Sequence, residues 1–189
     1  MTTDSLTSGD DVVRFLTTQH KQITELFAEV QHSAGHARQD AFDRLRRLLA
    51  VHETAEEMIV HPRARRIVDD VDHVVDDRLR EEHDAKQVLA ELEQLDVGSA
   101  EFEAKFDTFR QDVLSHAEAE EQLEFPQLTR ELSAEELEQL GRAAQVAERA
   151  APTRPHAGVE SAVANVAVGP FASMLDRARD LITGHAHDA

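Results

Sequence analysis

The sequence contains two copies of one pattern, in residues 52–62 and residues 116–126. Each copy begins with a histidine, has glutamates four and five residues later, and has a proline ten residues after the histidine. Side chains four residues apart lie on one face of an α-helix. The duplication therefore predicts two helices that each carry a His–Glu pair on one face, and two such faces opposite each other can enclose metal.

A further histidine precedes each copy at almost the same distance. His20 lies 32 residues before His52, and His83 lies 33 residues before His116. The order His, then His-x3-Glu, therefore occurs twice, which indicates two copies of a helical hairpin. Because His20 and His83 hold equivalent places in the two copies, each supports the other as a candidate ligand.

Apolar residues recur every three or four positions in four segments, which predicts four amphipathic helices. In the fourth segment this stripe continues through Val113, His116, Glu120 and Leu123, which are therefore predicted to face inward. We place the four helices at about 8–32, 41–71 with a break or kink at Pro62, 72–95 and 100–132. The connections are short, which favours antiparallel neighbours. The predicted fold class is all-α, an up-down-up-down antiparallel four-helix bundle with a C-terminal helical extension. With only 7 glycines and 5 prolines, the composition is typical of a helical chain.

We divide the chain into a bundle at residues 9–132 and a C-terminal extension at residues 133–189. The extension begins with a capping box at 133–136 and a helix to about 150. A proline-containing linker at 152–156, a short helix at 171–183 and a loose tail follow. Its candidate roles are a lid and a dimer contact. The sequence gives neither the role of the extension nor the oligomeric state.

The net charge of −18 argues against nucleic acid and anionic membrane surfaces as partners. The N-terminal residues lack the basic end and apolar core of a signal peptide. The most apolar stretch, 159–175, is interrupted by charged, polar and helix-breaking residues and is too polar for a membrane span. We expect a cytoplasmic protein.

The histidines and glutamates of the pattern fall inside the apolar stripes. A carboxylate left alone in a core costs on the order of several kcal/mol, so it needs a metal, a basic partner or a proton. No basic residue lies on the inner stripe of the fourth helix, and a metal is the economical answer. The candidate ligands are His20, His52, Glu56, His83, His116 and Glu120.

Other histidines and glutamates rank lower as ligands. We interpret His61 as a packing residue or a contact to a ligand. Glu53, Glu57 and Glu121 are surface residues or additional ligands. The remaining histidines are predicted to be solvated, namely His32, His36, His73, His156, His185 and His187.

The chain has no cysteine, so its metal ligands are imidazole and carboxylate, which suit iron, manganese or zinc. Four histidines and two glutamates are too many for one tetrahedral zinc ion. The twofold repeat indicates two metals, with each carboxylate spanning both ions. Four imidazoles and two bridging carboxylates fill about eight of the twelve positions of two six-coordinate ions, and one bridging oxide or hydroxide fills two more. About two positions then stay open for a small ligand.

The six residues, with their spacing and Glu-Glu and proline context, resemble a hemerythrin-like (HHE cation-binding) domain over about residues 9–132. The resemblance implies a four-helix bundle with a non-haem di-iron centre, bridged by carboxylates and an oxo or hydroxo group. Manganese or zinc is the less favoured alternative. In this family the oxygen carriers have a fifth histidine four residues from another on the third helix. Here the two positions beside His83 are Leu79 and Gln87.

That departure disfavours reversible oxygen transport. The resemblance instead implies reaction with O2, H2O2 or NO in peroxide or oxidative and nitrosative stress handling, with catalase-like peroxide decomposition as the enzymatic form. Two alternatives stay open. One is an iron-binding or oxygen-binding sensing module without turnover, and the other is a metal-free interaction bundle.

Overall fold

The computed structural model of the chain describes residues 11–67 and 72–150. All regular elements in these two ranges are helical, and neither range contains a strand. The all-α class is therefore confirmed. The predicted linker, last helix and tail lie outside the described residues, as do His156, His185 and His187.

Seven α-helices and two π-helical segments make up the described chain. The first half consists of α1 (Val12–His32), α2 (Gly35–Ala55), a first π-helical segment (Glu56–Val60) and α3 (His61–Ile67). The second half consists of α4 (Asp72–Leu92), α5 (Ala100–Ala119), a second π-helical segment (Glu120–Glu124), α6 (Phe125–Glu131) and α7 (Ala134–Ala150).

Side chains cap three of these helices in the way their sequences favour. The Asp11 carboxylate accepts from the backbone N–H of Arg14 at 2.9 Å, and the Ser99 hydroxyl accepts from Phe102 at 3.1 Å. At α7 the Glu136 N–H donates to the Ser133 hydroxyl at 3.3 Å, and the Ser133 N–H donates to the Glu136 carboxylate at 2.9 Å. This reciprocal pair confirms the predicted capping box.

One predicted boundary differs from the structure. The second helix begins at Gly35 rather than after Asp40, because Gly35 has a φ of 56° and makes the turn from α1 itself. Pro62 does not end the helix that contains it. The chain passes into a π-helical segment before the proline, and α3 continues beyond it. The same arrangement precedes Pro126.

The core consists of two apolar clusters with a polar layer between them. In α1, Val12 and Leu16 belong to one cluster, and Ile23 and Phe27 belong to the other. His20 lies between these pairs and is 5% exposed. The other helices repeat this order, so the buried polar residues of several helices meet at one level of the bundle. They are Gln19, His20, His52, Glu53, Glu56, His61, Glu82, Glu120 and Glu124.

Helix contacts are consistent with a four-helix bundle. α1 packs against α2, α4 packs against α5, and α3 contacts both α4 and α6. The up-down-up-down direction of the helices and the domain boundary at 132 stay predictions. α7 packs on α1 and α2, and its Leu137, Leu140, Ala143 and Ala144 belong to the same apolar cluster as Val12.

None of the helices in the described part of the chain combines the length and the apolar character that crossing a membrane requires.

Candidate metal centre

The two π-helical segments begin at the two glutamates of the repeated pattern. Glu56 and Glu120 each accept a hydrogen bond from the backbone N–H five residues later, at His61 and Phe125. π-Helical turns are rare and frequently occur at functional sites. Here each one lies just before a proline and changes which residues face inward. Glu124 is therefore buried, whereas Leu123, which the α-helical stripe predicted to lie inside, is 51% exposed.

Three imidazole rings direct Nε2 towards the two glutamates. The Nε2 atom of His52 lies 3.3 Å from Glu56, and that of His116 lies 3.2 Å from Glu120. The Nε2 atom of His20 lies 3.3 Å from Glu120 and 3.1 Å from Nε2 of His52. Five of the six predicted ligands therefore lie close together in the polar layer.

The other ring nitrogen of each histidine faces a side-chain oxygen on the outer side of the cluster. Such contacts hold a ligand ring in position and place its proton on Nδ1, which leaves Nε2 free for a metal. The pairs are His20 with Glu121 at 2.8 Å, His52 with Gln19 at 2.9 Å and His116 with Glu81 at 2.8 Å. Glu121 is thus an exposed residue that contacts a predicted ligand, His20.

The Gln19 amide is oriented by α7. Its nitrogen donates to the Glu148 carboxylate at 3.2 Å, and a carboxylate can only accept. The Gln19 oxygen must therefore face His52, whose Nδ1 must be the donor. Sequence reasoning missed both residues. Gln19 offered a signal, because it follows Leu16 by three positions on the inner side of α1, whereas nothing in the sequence singled out Glu148.

Two overlapping groups of ligand atoms result. In each group all the ligand atoms lie within 4.8 Å of one another. Glu56 and Glu120 belong to both groups, which is the arrangement expected of carboxylates shared between two ions. The first group is His20, His52, Glu56 and Glu120, and the second is Glu56, Glu82, His116 and Glu120.

The atoms that lack hydrogen-bond partners fit a cation. Both carboxylate oxygens of Glu56 are buried without a hydrogen-bond partner, as is one oxygen each of Glu82 and Glu120. Unpaired buried carboxylates are costly, and a cation among them removes that cost. Imidazole nitrogen together with carboxylate oxygen is a donor set suited to iron, manganese or zinc. The residues present therefore fit a metal centre.

The histidines differ in how readily they would bind a metal. Burial and the neighbouring His20 lower the pKa of His52 to about 3, so its ring is neutral at physiological pH. Burial also acts to lower the pKa of His116, but Glu120 and the hydrogen bonds to Glu120 and Glu81 outweigh it and raise that pKa to about 10. His116 must therefore lose a proton before it can bind a metal.

The two shared carboxylates also titrate differently. Burial and the charge of Glu120 raise the pKa of Glu56 well above its ordinary value. For Glu120 burial is the largest single cause and acts in the same direction, but the charge of His116 and the hydrogen bonds with His116 and His20 together outweigh it and lower the pKa well below its ordinary value. In the metal-free protein, these opposite shifts favour a charged Glu120 paired with His116 and favour the protonated form of Glu56.

The structure does not bring His83 into the cluster. Its side chain is half-buried, and its Nε2 lies 2.6 Å from the Gln87 side-chain nitrogen. The preceding residue, Glu82, points into the polar layer instead and is 3% exposed. Successive residues of an α-helix point about 100° apart, so the rotation of α4 decides which of the two faces inward. His83 as a ligand stays a prediction.

His61 lies between two buried carboxylates. Its Nε2 is 2.5 Å from Glu82, and its Nδ1 is 3.4 Å from Glu124. Burial acts to lower the pKa of His61, but these carboxylates outweigh it and raise the pKa to about 10. The ring therefore contacts a member of the second group, in agreement with the second of its two predicted roles.

Glu53 and Glu57 pair with a lysine rather than with the cluster. Lys86 Nζ lies 3.6 Å from Glu53 and also contacts Glu57. Glu53 is 7% exposed, so its predicted surface location is wrong. Burial raises its pKa to about 8 although Lys86 acts to lower it. The described His32 and His36 are exposed, as predicted.

A cavity of about 370 Å³ adjoins the cluster. His20, His52, Glu56 and His116 line it where it meets the cluster. Its apolar wall comes from the same side of the core as Phe27. The wall residues are Ile23, Leu49, Val88, Phe109 and Val113. Exposed carboxylates, including Glu81, Asp84 and Asp112, also line it. A small molecule can therefore reach the inner nitrogen and carboxylate atoms.

Comparison with known proteins identifies a family. The model of the hemerythrin HHE cation-binding domain matches residues 11–128. An uncharacterized hemerythrin-like protein of Schizosaccharomyces pombe is 24% identical over 136 residues, which cover 71% of this chain and 67% of that protein. A DNA nickase of Nostoc is 27% identical over 130 residues, 68% of this chain but only 36% of the nickase. No solved structure matches significantly.

Proposed function

Because the chain belongs to the hemerythrin HHE cation-binding family, we propose that its polar layer binds two iron ions and reacts with O2, H2O2 or NO. The observation that carries this proposal is the pair of overlapping ligand groups that share Glu56 and Glu120. His20 and His52 would hold one ion, and His116 would hold the other. Iron bound there would supply one-electron redox chemistry.

The protein residues around these ligands would keep them ready for binding. Gln19, Glu81 and Glu121 hold the three rings with Nε2 directed inward. Such outer contacts typically contribute 10-fold to 100-fold to metal affinity. The two apolar clusters pack on either side of the layer and bury the shared carboxylates Glu56 and Glu120, which are 0% and 1% exposed. Both features support a site formed before metal arrives.

The cavity supports reaction with a small ligand. It connects the cluster to the surface, and its exposed carboxylates favour neutral ligands such as H2O2 or O2 over anions. The Glu53 carboxyl lines the same cavity, and the oxygen that lies 3.6 Å from Lys86 Nζ has no hydrogen-bond partner. It is thus positioned to exchange a proton with a ligand that enters. Catalase-like decomposition of peroxide is the activity that we propose first.

The test is iron content and absorption of freshly purified protein, followed by oxygen release after addition of H2O2. We expect two iron ions per chain and iron-dependent peroxide consumption. His116→Gln should remove most of the consumption, whereas His32→Gln, at an exposed position, should not. Iron-free protein, or a His116→Gln variant with wild-type consumption, would exclude the proposal.

A second candidate is a sensing module without turnover. It is favoured by the contact from Glu148 through Gln19 to His52, which connects α7 with the metal ligands. Iron binding should then slow hydrogen exchange in residues 134–150. Two bound iron ions without peroxide consumption, together with this protection, would favour sensing over catalysis.

DNA is not a partner in this proposal. The nickase shares only part of its length with this chain, and a net charge of −18 repels phosphates. We also propose a cytoplasmic location, as the sequence predicts.

A further inference from the structure

Glu82 is the one member of the two ligand groups that the repeated sequence pattern does not contain. It is 3% exposed, and one of its carboxylate oxygens lies 2.5 Å from Nε2 of His61. The other oxygen is buried and lacks a hydrogen-bond partner. Glu82 thus has one oxygen fixed by a neighbour and one oxygen without a partner. A carboxylate oxygen of Glu82 lies within 4.8 Å of ligand atoms from Glu56, His116 and Glu120.

His61 is placed to orient Glu82 rather than to bind a metal itself. Its two ring nitrogens face different carboxylates, Glu82 on one side and Glu124 on the other. The first π-helical segment causes this placement, because it ends immediately before His61 and turns that residue inward. The ring is 2% exposed and has no other role in the cluster. It resembles the outer partners of the three inward-facing histidines, but it holds a carboxylate.

The two metal positions consequently differ in their donors. The first group offers two imidazoles and two carboxylates, and the second offers one imidazole and three carboxylates. Imidazole suits zinc and iron, whereas carboxylates suit harder ions such as Mn²⁺. The first position should therefore bind zinc more tightly than the second position.

We propose that the centre is asymmetric, with Glu82, oriented by His61, as a metal ligand beside His116 in place of a fourth histidine. This inference rests on the proposed metal centre. The position of His20 and His52 fills first, and the position of His116 and Glu82 fills second. Zinc supplied in limiting amount occupies the first position, and Mn²⁺ supplied afterwards occupies the second. The chain can therefore hold two different metals.

The experiment loads metal-free protein with one equivalent of Zn²⁺, then with excess Mn²⁺, and counts both metals on individual chains by native mass spectrometry after desalting. We expect one zinc and one manganese. Glu82→Gln should keep the zinc and lose the manganese. His83→Gln is the matched control on the adjacent residue and should keep both. One zinc in Glu82→Gln, with wild-type helical circular dichroism, also shows that the variant is folded.

A second variant keeps the test decisive if Glu82→Gln does not fold. His61→Gln removes the partner of Glu82 without changing the carboxylate. It should weaken Mn²⁺ binding by about 10-fold to 100-fold and leave zinc at the first position. A purely structural role for His61 would weaken both metals alike.

The outcomes separate this inference from the proposed function. No zinc bound by the wild type would overturn the metal centre itself. Binding of one zinc without manganese would overturn the asymmetry alone. So would paired binding, in which one equivalent of zinc fills both positions in half of the chains and leaves the other half without zinc. Loss of manganese in His83→Gln but not in Glu82→Gln would show that His83 is the ligand.

Discussion

The Nε2 atoms of His20 and His52 lie 3.1 Å apart in a buried layer, and the Nδ1 atom of each ring faces an oxygen on the outer side. With a proton on each Nδ1, two nitrogen lone pairs point at each other. A second proton on one ring removes this repulsion, because that ring can then donate to the other. A bound cation removes it while both rings keep a single proton. The distance between these two atoms is therefore a physical argument for metal binding that does not depend on any relative.

We expect chelation to lower the melting temperature of the protein. A metal that binds only the folded state stabilises that state by about 2.7 kcal/mol when its free concentration is 100 times its Kd. The measurement is thermal unfolding with and without chelator. His52→Ala should melt at the same temperature in both conditions, because it removes a ligand. His32→Ala should keep the wild-type difference, and its loss in that control would contradict a specific site.

Gln19→Leu should weaken metal binding by about 10-fold to 100-fold. The substitution removes the acceptor that holds His52 Nδ1 and also ends the contact with Glu148. Competition with a chelator of known affinity measures the change. Gln31→Leu is the control, because Gln31 lies on the same helix and donates a hydrogen bond to Asp107 at the surface. Equal affinity in the two variants would argue against the orienting role of Gln19.

Stability of the metal-free protein should fall as pH rises through the range in which Glu53 loses its proton. The pKa of Glu53 is raised from an ordinary 4.5 to about 8, mainly by burial. The folded state thus holds this proton more tightly than the unfolded state. The stabilisation is complete below pH 4.5 and is lost as pH rises towards 8, at up to about 1.4 kcal/mol per pH unit.

Glu53→Gln should remove this part of the pH dependence. Urea unfolding at several pH values between 5 and 8 gives the free energy of unfolding for both proteins, and the wild-type curve should have the steeper decline. Glu118→Gln, at an exposed position of α5, should follow the wild type. Parallel curves for wild type and Glu53→Gln would contradict the buried, protonated state of Glu53.

Phe27→Ala should reduce stability without changing metal stoichiometry. Phe27 is 1% exposed and packs with Phe106 and Phe109 at ring centroid distances of 5.4 Å and 5.7 Å. Removing such a ring typically costs about 3–5 kcal/mol. Because Phe27 belongs to the apolar cluster and not to the polar layer, bound metal per chain should stay the same. Metal loss in a folded variant would show that the two regions are coupled.

Much of the helical arrangement could be predicted from sequence because it depends on local spacing. The His-x3-Glu pairs fall within apolar stripes, and the structure buries His52, Glu56 and Glu120 accordingly. α-Helical geometry relates residues four apart whatever lies around them. The capping box at Ser133 is equally local, and it too forms as predicted.

Apolar periodicity could not predict the π-helical segments. A single helical period continued through Pro62 and Pro126 predicts that Leu123 faces inward and gives no particular orientation to His61. The wider turn at Glu120 brings Glu124 inward and leaves Leu123 exposed. The prolines were a signal of irregularity, but they did not specify its form.

The sequence by itself determined that two His–Glu pairs share helix faces, because covalent spacing and helix geometry decide this within one turn. Only the tertiary structure decided which side chains meet from different helices. Gln19 meets Glu148 across 129 positions, and α4 presents Glu82 rather than His83. The rotation of a helix about its own axis depends on the packing of all its neighbours. A weakly amphipathic helix such as α4 therefore takes its orientation from the assembled core.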